Sequence, residues 1–163
     1  MNFSRECEYA VRGMVALAGA SPGQALTLQE VAVQDNLPPG FLSKIFQKLV
    51  RHGLIQSHRG IQRGYTLAHP APEITLRQIL ESIEGPDLFD RCAFSHRRCG
   101  EAGQCLVHPY WRRVRGEVTH LFEEVSLRDL LASARQRAAG RLTGEEQPDE
   151  PAWIRDKVRA LYS

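Results

Sequence analysis

Pro39-Gly40-Phe41-Leu42-Ser43-Lys44-Ile45-Phe46-Gln47-Lys48-Leu49-Val50-Arg51-His52-Gly53, followed at once by Leu54-Ile55-Gln56-Ser57, is the stretch that decides the fold. Phe41, Leu42, Ile45, Phe46, Leu49 and Val50 recur in pairs every four residues, which in a helix gathers them on one face. Ser43, Lys44, Gln47, Lys48 and Arg51 recur in the same way on the opposite face. The spacing predicts a helix over about 40–52, stopped by Gly53. The period then changes. Leu54 to Ser57 and Tyr65 to Leu67 read as two short strands, joined by a glycine-bearing tip, Arg59-Gly60-Ile61-Gln62-Arg63-Gly64.

Upstream, residues 4–20 read as a helix with a broad apolar side, ended by Ser21-Pro22-Gly23. Thr27-Leu28-Gln29-Glu30 is a capping-box pattern that opens a short helix from about Leu28 to Gln34. Asn36 and Pro38-Pro39-Gly40 make the turn into the helix quoted above. Three helices followed by a two-stranded hairpin is the order of a winged helix-turn-helix. The expected fold is therefore mostly α with a small β-hairpin wing.

Downstream, Thr75-Leu76-Arg77-Gln78 is a second capping box, and Gly85-Pro86 closes the helix it opens. Residues 87–108 lack a usable period and hold three cysteines. A long helix follows Pro109, with Trp111, Val114, Val118, Leu121, Phe122 and Val125 at three- and four-residue steps. Residues 126–134 read as a further short helix and 137–151 as a polar linker. Trp153, Ile154, Val158 and Leu161 suggest one last amphipathic turn. The expected organisation is a DNA-binding domain over 1–85, a loop over 86–108, a dimerisation helix region over 109–135 and a polar tail over 136–163.

A chain of 163 residues with 42% hydrophobic and 25% charged residues has the make-up of a folded globular domain. The longest apolar run near the start, Gly13 to Ala20, is too short for a bilayer span and follows Glu6, Glu8 and Arg12, so no secretory signal is read there. A cytoplasmic protein is expected. The net charge of +2 is uninformative, but its distribution is not. Residues 36–72 contain Lys44, Lys48, Arg51, Arg59 and Arg63 and no Asp or Glu, whereas 73–90 contain five acids against Arg77. A basic block confined to one helix and a hairpin is the electrostatic footprint of double-stranded DNA binding. Ser43, Lys44, Gln47, Lys48 and Arg51 are the candidate contacts from the helix. Arg59 and Arg63 are placed to enter a minor groove.

Cys92, Cys99 and Cys105 are separated by six and five residues, and His108 lies three after the last. Thiolates hold soft metals and iron–sulfur clusters, and an imidazole can complete the set. Arg91, Arg97 and Arg98 among them favour the thiolate form. The gaps are wider than the two to four residues usual in zinc ribbons, which suits a larger inorganic object. A mononuclear zinc or iron site is the alternative. The remaining Cys7 reads as a small buried side chain. No nucleophile–base pair, phosphate loop or paired-carboxylate motif accompanies these residues, which argues against an enzyme, a small redox protein included.

Together the wing and the cysteine loop resemble the bacterial iron–sulfur winged-helix transcription regulators of the IscR and NsrR kind. Tyr9-Ala10-Val11, Gly53-Leu54-Ile55, Ser57-His58-Arg59-Gly60, Gly64-Tyr65, the three cysteines, Cys105-Leu106-Val107-His108 and Ser126-Leu127-Arg128-Asp129-Leu130-Leu131 carry the likeness, over about residues 1–134. The resemblance implies a homodimer built on the long helix, a cluster near its interface and a repressor whose operator affinity follows cluster state, with iron, redox or nitric oxide status as the signal. Cys92, Cys99, Cys105 and His108 would hold a [2Fe–2S] cluster. In the other known arrangement Glu8, donated by the partner subunit, completes a [4Fe–4S] site. His108 is favoured over Glu8 because it is local and needs no dimer contact, and His96 ranks third. The wing tip and Ser43 depart from the familiar patterns, so operator preference does not carry over.

Overall fold

The computed structural model describes residues 3–34, 36–60, 63–92, 98 and 106–143. Helices α1 (Arg5–Gly19), α2 (Leu28–Gln34) and α3 (Pro39–Arg51) are followed by strands β1 (Ile55–His58) and β2 (Gly64–Leu67). Then come α4 (Leu76–Glu84), α5 (His108–Glu124) and α6 (Leu127–Thr143), with single 3-10 turns at Ala71–Glu73 and Leu88–Asp90.

Local chemistry sets the element starts. At α2 the Thr27 N–H donates to Glu30 Oε2 (2.6 Å) and the Glu30 N–H to Thr27 Oγ1 (3.2 Å), closing the expected box. Thr75 and Gln78 do the same at α4. Each box satisfies two amide donors that the helix itself leaves open.

One core joins these elements, and α1 runs through its middle against α2, α3, α4 and α6. α1 packs on α3 there, and Met14 of α1 and Leu42, Ile45, Phe46 and Leu49 of α3 are all fully buried in that core. Burial of each such side chain stabilises by about 1.5–3 kcal/mol. Gly13 is required for this approach: a Cβ there would stand 2.7 Å from Phe46 Cε1. Phe46 also meets the Tyr65 ring edge-on at 4.9 Å, so α3 and the wing share one aromatic contact.

The wing is antiparallel, with Ile55 opposite Leu67 and Ser57 opposite Tyr65. A feature the hairpin pattern did not predict is a third partner. Leu26 exchanges both backbone hydrogen bonds with Tyr65, at 3.0 and 2.8 Å, and so fastens β2 to the segment before α2. Gly64, at φ +145°, enters this pairing where a side chain would meet Leu26 O at 2.6 Å.

Two expectations need correction. The helix read over 126–134 runs to Thr143, because Ala, Arg and Gln after position 131 are strong helix formers whose polarity resembles a linker. Phe41, assigned to the apolar face of α3, is 56% exposed, because it lies at the flank of the stripe and only Leu42, Ile45, Phe46 and Leu49 reach the core. The rest of the linker and the turn around Trp153 lie outside the described residues.

Candidate DNA-reading surface and cysteine loop

Helix α3 starts after Pro38 with Pro39 at its first position, and its first turn holds no acid, so its N-terminal partial positive charge is not neutralised locally. Lys44, Gln47 and Arg51 are exposed along one side, and Ser43 is half-buried beside them. Arg59 and Arg63, on either side of the wing tip, are also exposed. His58, just before Arg59, shares a 2.8 Å hydrogen bond with Thr66 across the strands, which holds the base of the tip. Ile61 and Gln62 lie outside the described residues.

Lys48 departs from the other candidates. Its Nζ donates to Glu6 Oε2 of α1 at 2.6 Å and lies 3.4 Å from Ile83 O at the end of α4. The ammonium is tied to the protein and half-buried. The acid-free block in sequence therefore receives an acid from a residue 42 positions away.

The end of α4 is also where the cysteine loop departs. Arg91 Nη2 donates to Glu84 O (2.7 Å) and to Asp87 Oδ1 (2.8 Å). Hydrogen bonding from Arg91 holds the Asp87 carboxyl below its ordinary value. Glu84 in turn accepts from the Ser4 N–H and from the Cys7 thiol at 3.4 Å. Burial opposes its charge, but these donors and Arg91 outweigh it and lower its pKa. Cys7 shows the converse. Burial first, and then Glu84, push its thiol up to about 11, in keeping with a core side chain.

Cys92 follows Arg91 and is half-buried. An antiparallel bridge between Arg91 and Arg98 draws together the two ends of the segment between them. Cys99, Cys105, His96 and Arg97 lie outside the described residues, and among those described no three metal-ligating side chains gather. His108 is the first residue of α5 and half-buried. Arg115, two turns on, donates to Asp90 O at 3.2 Å, so this side of α5 faces the chain entering Cys92. Trp111 lies on the same side, one turn from His108. Its indole N–H is buried and has no hydrogen-bond partner among the described residues.

Glu8 is exposed on α1, 3.4 Å from Arg12, on the rim of an open recess lined by Phe3, Val11, Leu80 and Phe122. The stripe on α5 divides. Phe122 packs on Phe3 and Phe89 of its own chain, whereas Val114 towards the other end is exposed, as are Tyr110 beside the stripe and Leu106 just before the helix. Sequence reasoning missed Glu6 and Glu84, whose roles rest on long-range contacts. It assigned Trp111 to the stripe alone.

Residues 3–133 match the family model Rrf2, described as "Iron-dependent Transcriptional regulator". The chain is 31% identical over 150 residues to the "Putative HTH-type transcriptional regulator Rv1287" of Mycobacterium tuberculosis, covering 92% of this chain and 93% of that one. It is 26% identical to the HTH-type transcriptional regulator IscR of Photorhabdus laumondii, over 80% and 79% of the two chains. Among solved structures, CymR, the global cysteine regulator of B. subtilis, superposes with a TM-score of 0.71 at 25% identity, over 82% of this chain and 98% of that one. The protein belongs to the Rrf2 family and is a winged-helix, DNA-binding transcription regulator rather than an enzyme. No helix among the described residues is long and apolar enough to cross a membrane.

Proposed function

We propose that this regulator is a homodimeric sensor that represses transcription and whose operator affinity is set by an iron–sulfur cluster on Cys92, Cys99, Cys105 and His108. The observation that carries this reading is the buried indole N–H of Trp111, which has no hydrogen-bond partner among the described residues and lies one turn from His108 on the side of α5 that faces the chain entering Cys92. A buried donor without an acceptor costs about 1–3 kcal/mol, and a sulfur-rich group beside His108 would relieve it. The donor chemistry fits as well: three thiols and one imidazole suit a [2Fe–2S] centre. When bound, such a centre supplies a redox- and nitric-oxide-reactive group to the loop.

The protein's own residues connect that loop to DNA. Arg91 fastens the start of the loop to the end of α4, and Lys48 fastens α3 to the same place. A shift of Arg91 on loss of the cluster would thus act on the seat of α3. Lys44, Gln47 and Arg51 would line the major groove, with Ser43 beside them, and Arg59 and Arg63 an adjacent minor groove. The apolar end of α5 would pair with a second copy and place two such surfaces on one duplex.

A second ligand set has its own support, because Glu8 is exposed beside an apolar recess into which a partner could dock. In that arrangement Glu8 of one subunit would complete a [4Fe–4S] site of the other. Anaerobic purification followed by absorbance, iron and sulfide analysis tests the proposal. Equal iron and sulfide with visible absorption supports it. Colourless protein carrying zinc refutes it.

A further inference from the structure

The first turn of α3 carries a large aromatic ring that the core does not use. Phe41 is 56% exposed, whereas the adjacent Leu42 and the next-turn Ile45 are fully buried. An isolated exposed phenylalanine is unremarkable on most surfaces. This one is the third residue of the helix that follows the helix-turn-helix turn, at the end whose side chains meet base edges in such complexes. Three residues on, Lys44 is exposed, and Gln47 and Arg51 continue the polar side. Residues 36–72 contain no acid, so the surroundings favour a polyanion over an ordinary apolar protein surface.

In the major groove one chemical feature is apolar, the C5-methyl group of thymine, and phenylalanine is among the side chains that meet it. We infer that Phe41 is a specificity-determining residue that packs on a thymine methyl at a fixed position of the operator. This rests on the assignment of α3 as the helix that enters the groove. Lys44 anchors the helix to phosphate, and the Phe41 ring reports whether the base beneath it carries a methyl group. Since Phe41 is outside the core, its removal leaves the fold intact.

The test uses a duplex selected from a random pool by the full-length protein, with each thymine replaced in turn by deoxyuridine, which removes the methyl and nothing else. Loss of one buried methyl weakens binding about fourfold. The wild-type protein is expected to show such a loss at one or two positions. Phe41→Ala should bind the thymine duplex more weakly, show no further loss with uracil at those positions, and keep the wild-type melting temperature. Lys44→Ala should weaken binding while retaining the uracil penalty. Uracil tolerated everywhere by the wild type, or equally harmful to Phe41→Ala, overturns the role of Phe41 while leaving α3 as the binding helix. Selected duplex bound as well by Lys44→Ala and Phe41→Ala as by the wild type overturns the placement of α3, and this inference with it.

Discussion

Lys48 Nζ lies 2.6 Å from Glu6 Oε2, an ion pair that joins the recognition helix to the first turns of α1. Both side chains are about a third exposed, so the pair itself adds at most about 1 kcal/mol to stability. Its consequence is functional. A lysine already neutralised within the protein would release few counterions on binding DNA, whereas the exposed Lys44, if it meets a phosphate as proposed, would release its full share.

Lys44→Ala should therefore lower the slope of log affinity against log salt by about 0.9, the share of one phosphate contact. Lys48→Ala should leave that slope nearly unchanged. Arg59→Ala should cost about 1–3 kcal/mol on the specific site and less on random duplex if it reads a groove. Titrations at three salt concentrations separate these outcomes. Equal slopes for the two lysine variants would contradict the placement of Lys48.

The Lys48–Glu6 pair shows where the sequence stops being legible. Helix periods, two capping boxes and the hairpin are local patterns, and each was visible in the order of residues. Glu6 and Lys48 are far apart in sequence, and no period links them. Phe41 shares the spacing of the core stripe but lies at its flank, and spacing alone does not tell flank from centre. The pairing of Leu26 with Tyr65 was hidden for the same reason as Glu6: an isolated bridge leaves no repeating pattern. The polar end of α6 was misread because hydrophobicity and helix propensity are different quantities. The cysteines, His108 and Glu8 were legible as candidates, and their spacing alone did not choose between the two possible fourth ligands.

The contact between Gly13 and Phe46 makes a stability prediction independent of function. Gly13→Ala gains helix propensity but forces a Cβ to 2.7 Å from a fully buried ring. Overpacking of this kind costs about 1–3 kcal/mol, more than the gain of roughly 1 kcal/mol or less. The variant should melt below the wild type, by calorimetry or far-UV circular dichroism. An unchanged or raised melting temperature would show that Phe46 moves freely.

Assembly is tested at Val114, which is 48% exposed and can accept a charge without disturbing its own chain. Val114→Asp should be monomeric by light scattering, with unchanged helix content, while the wild type is dimeric. A wild-type protein that is monomeric at micromolar concentration removes the role given to α5.

The fourth ligand separates the two cluster chemistries. With His108 as ligand, His108→Ala loses or destabilises the cluster, and Glu8→Ala keeps its absorption spectrum. With Glu8 donated by the partner subunit, the pattern reverses, and the monomeric Val114→Asp also fails to hold a cluster. His108→Cys adds a check, because a fourth thiolate should retain the cluster and lower its potential. Iron and sulfide content of each variant, measured anaerobically, gives the answer.

The central claim is that the state of the cysteine loop sets operator affinity through Arg91, the end of α4 and the recognition helix. The most direct measurement is operator affinity of one preparation with the cluster present and after its removal, at fixed salt. The account predicts a clear difference between the two forms, reduced in Arg91→Ala, whose loop is no longer tied to Glu84 and Asp87. Identical affinity of the two forms would contradict it.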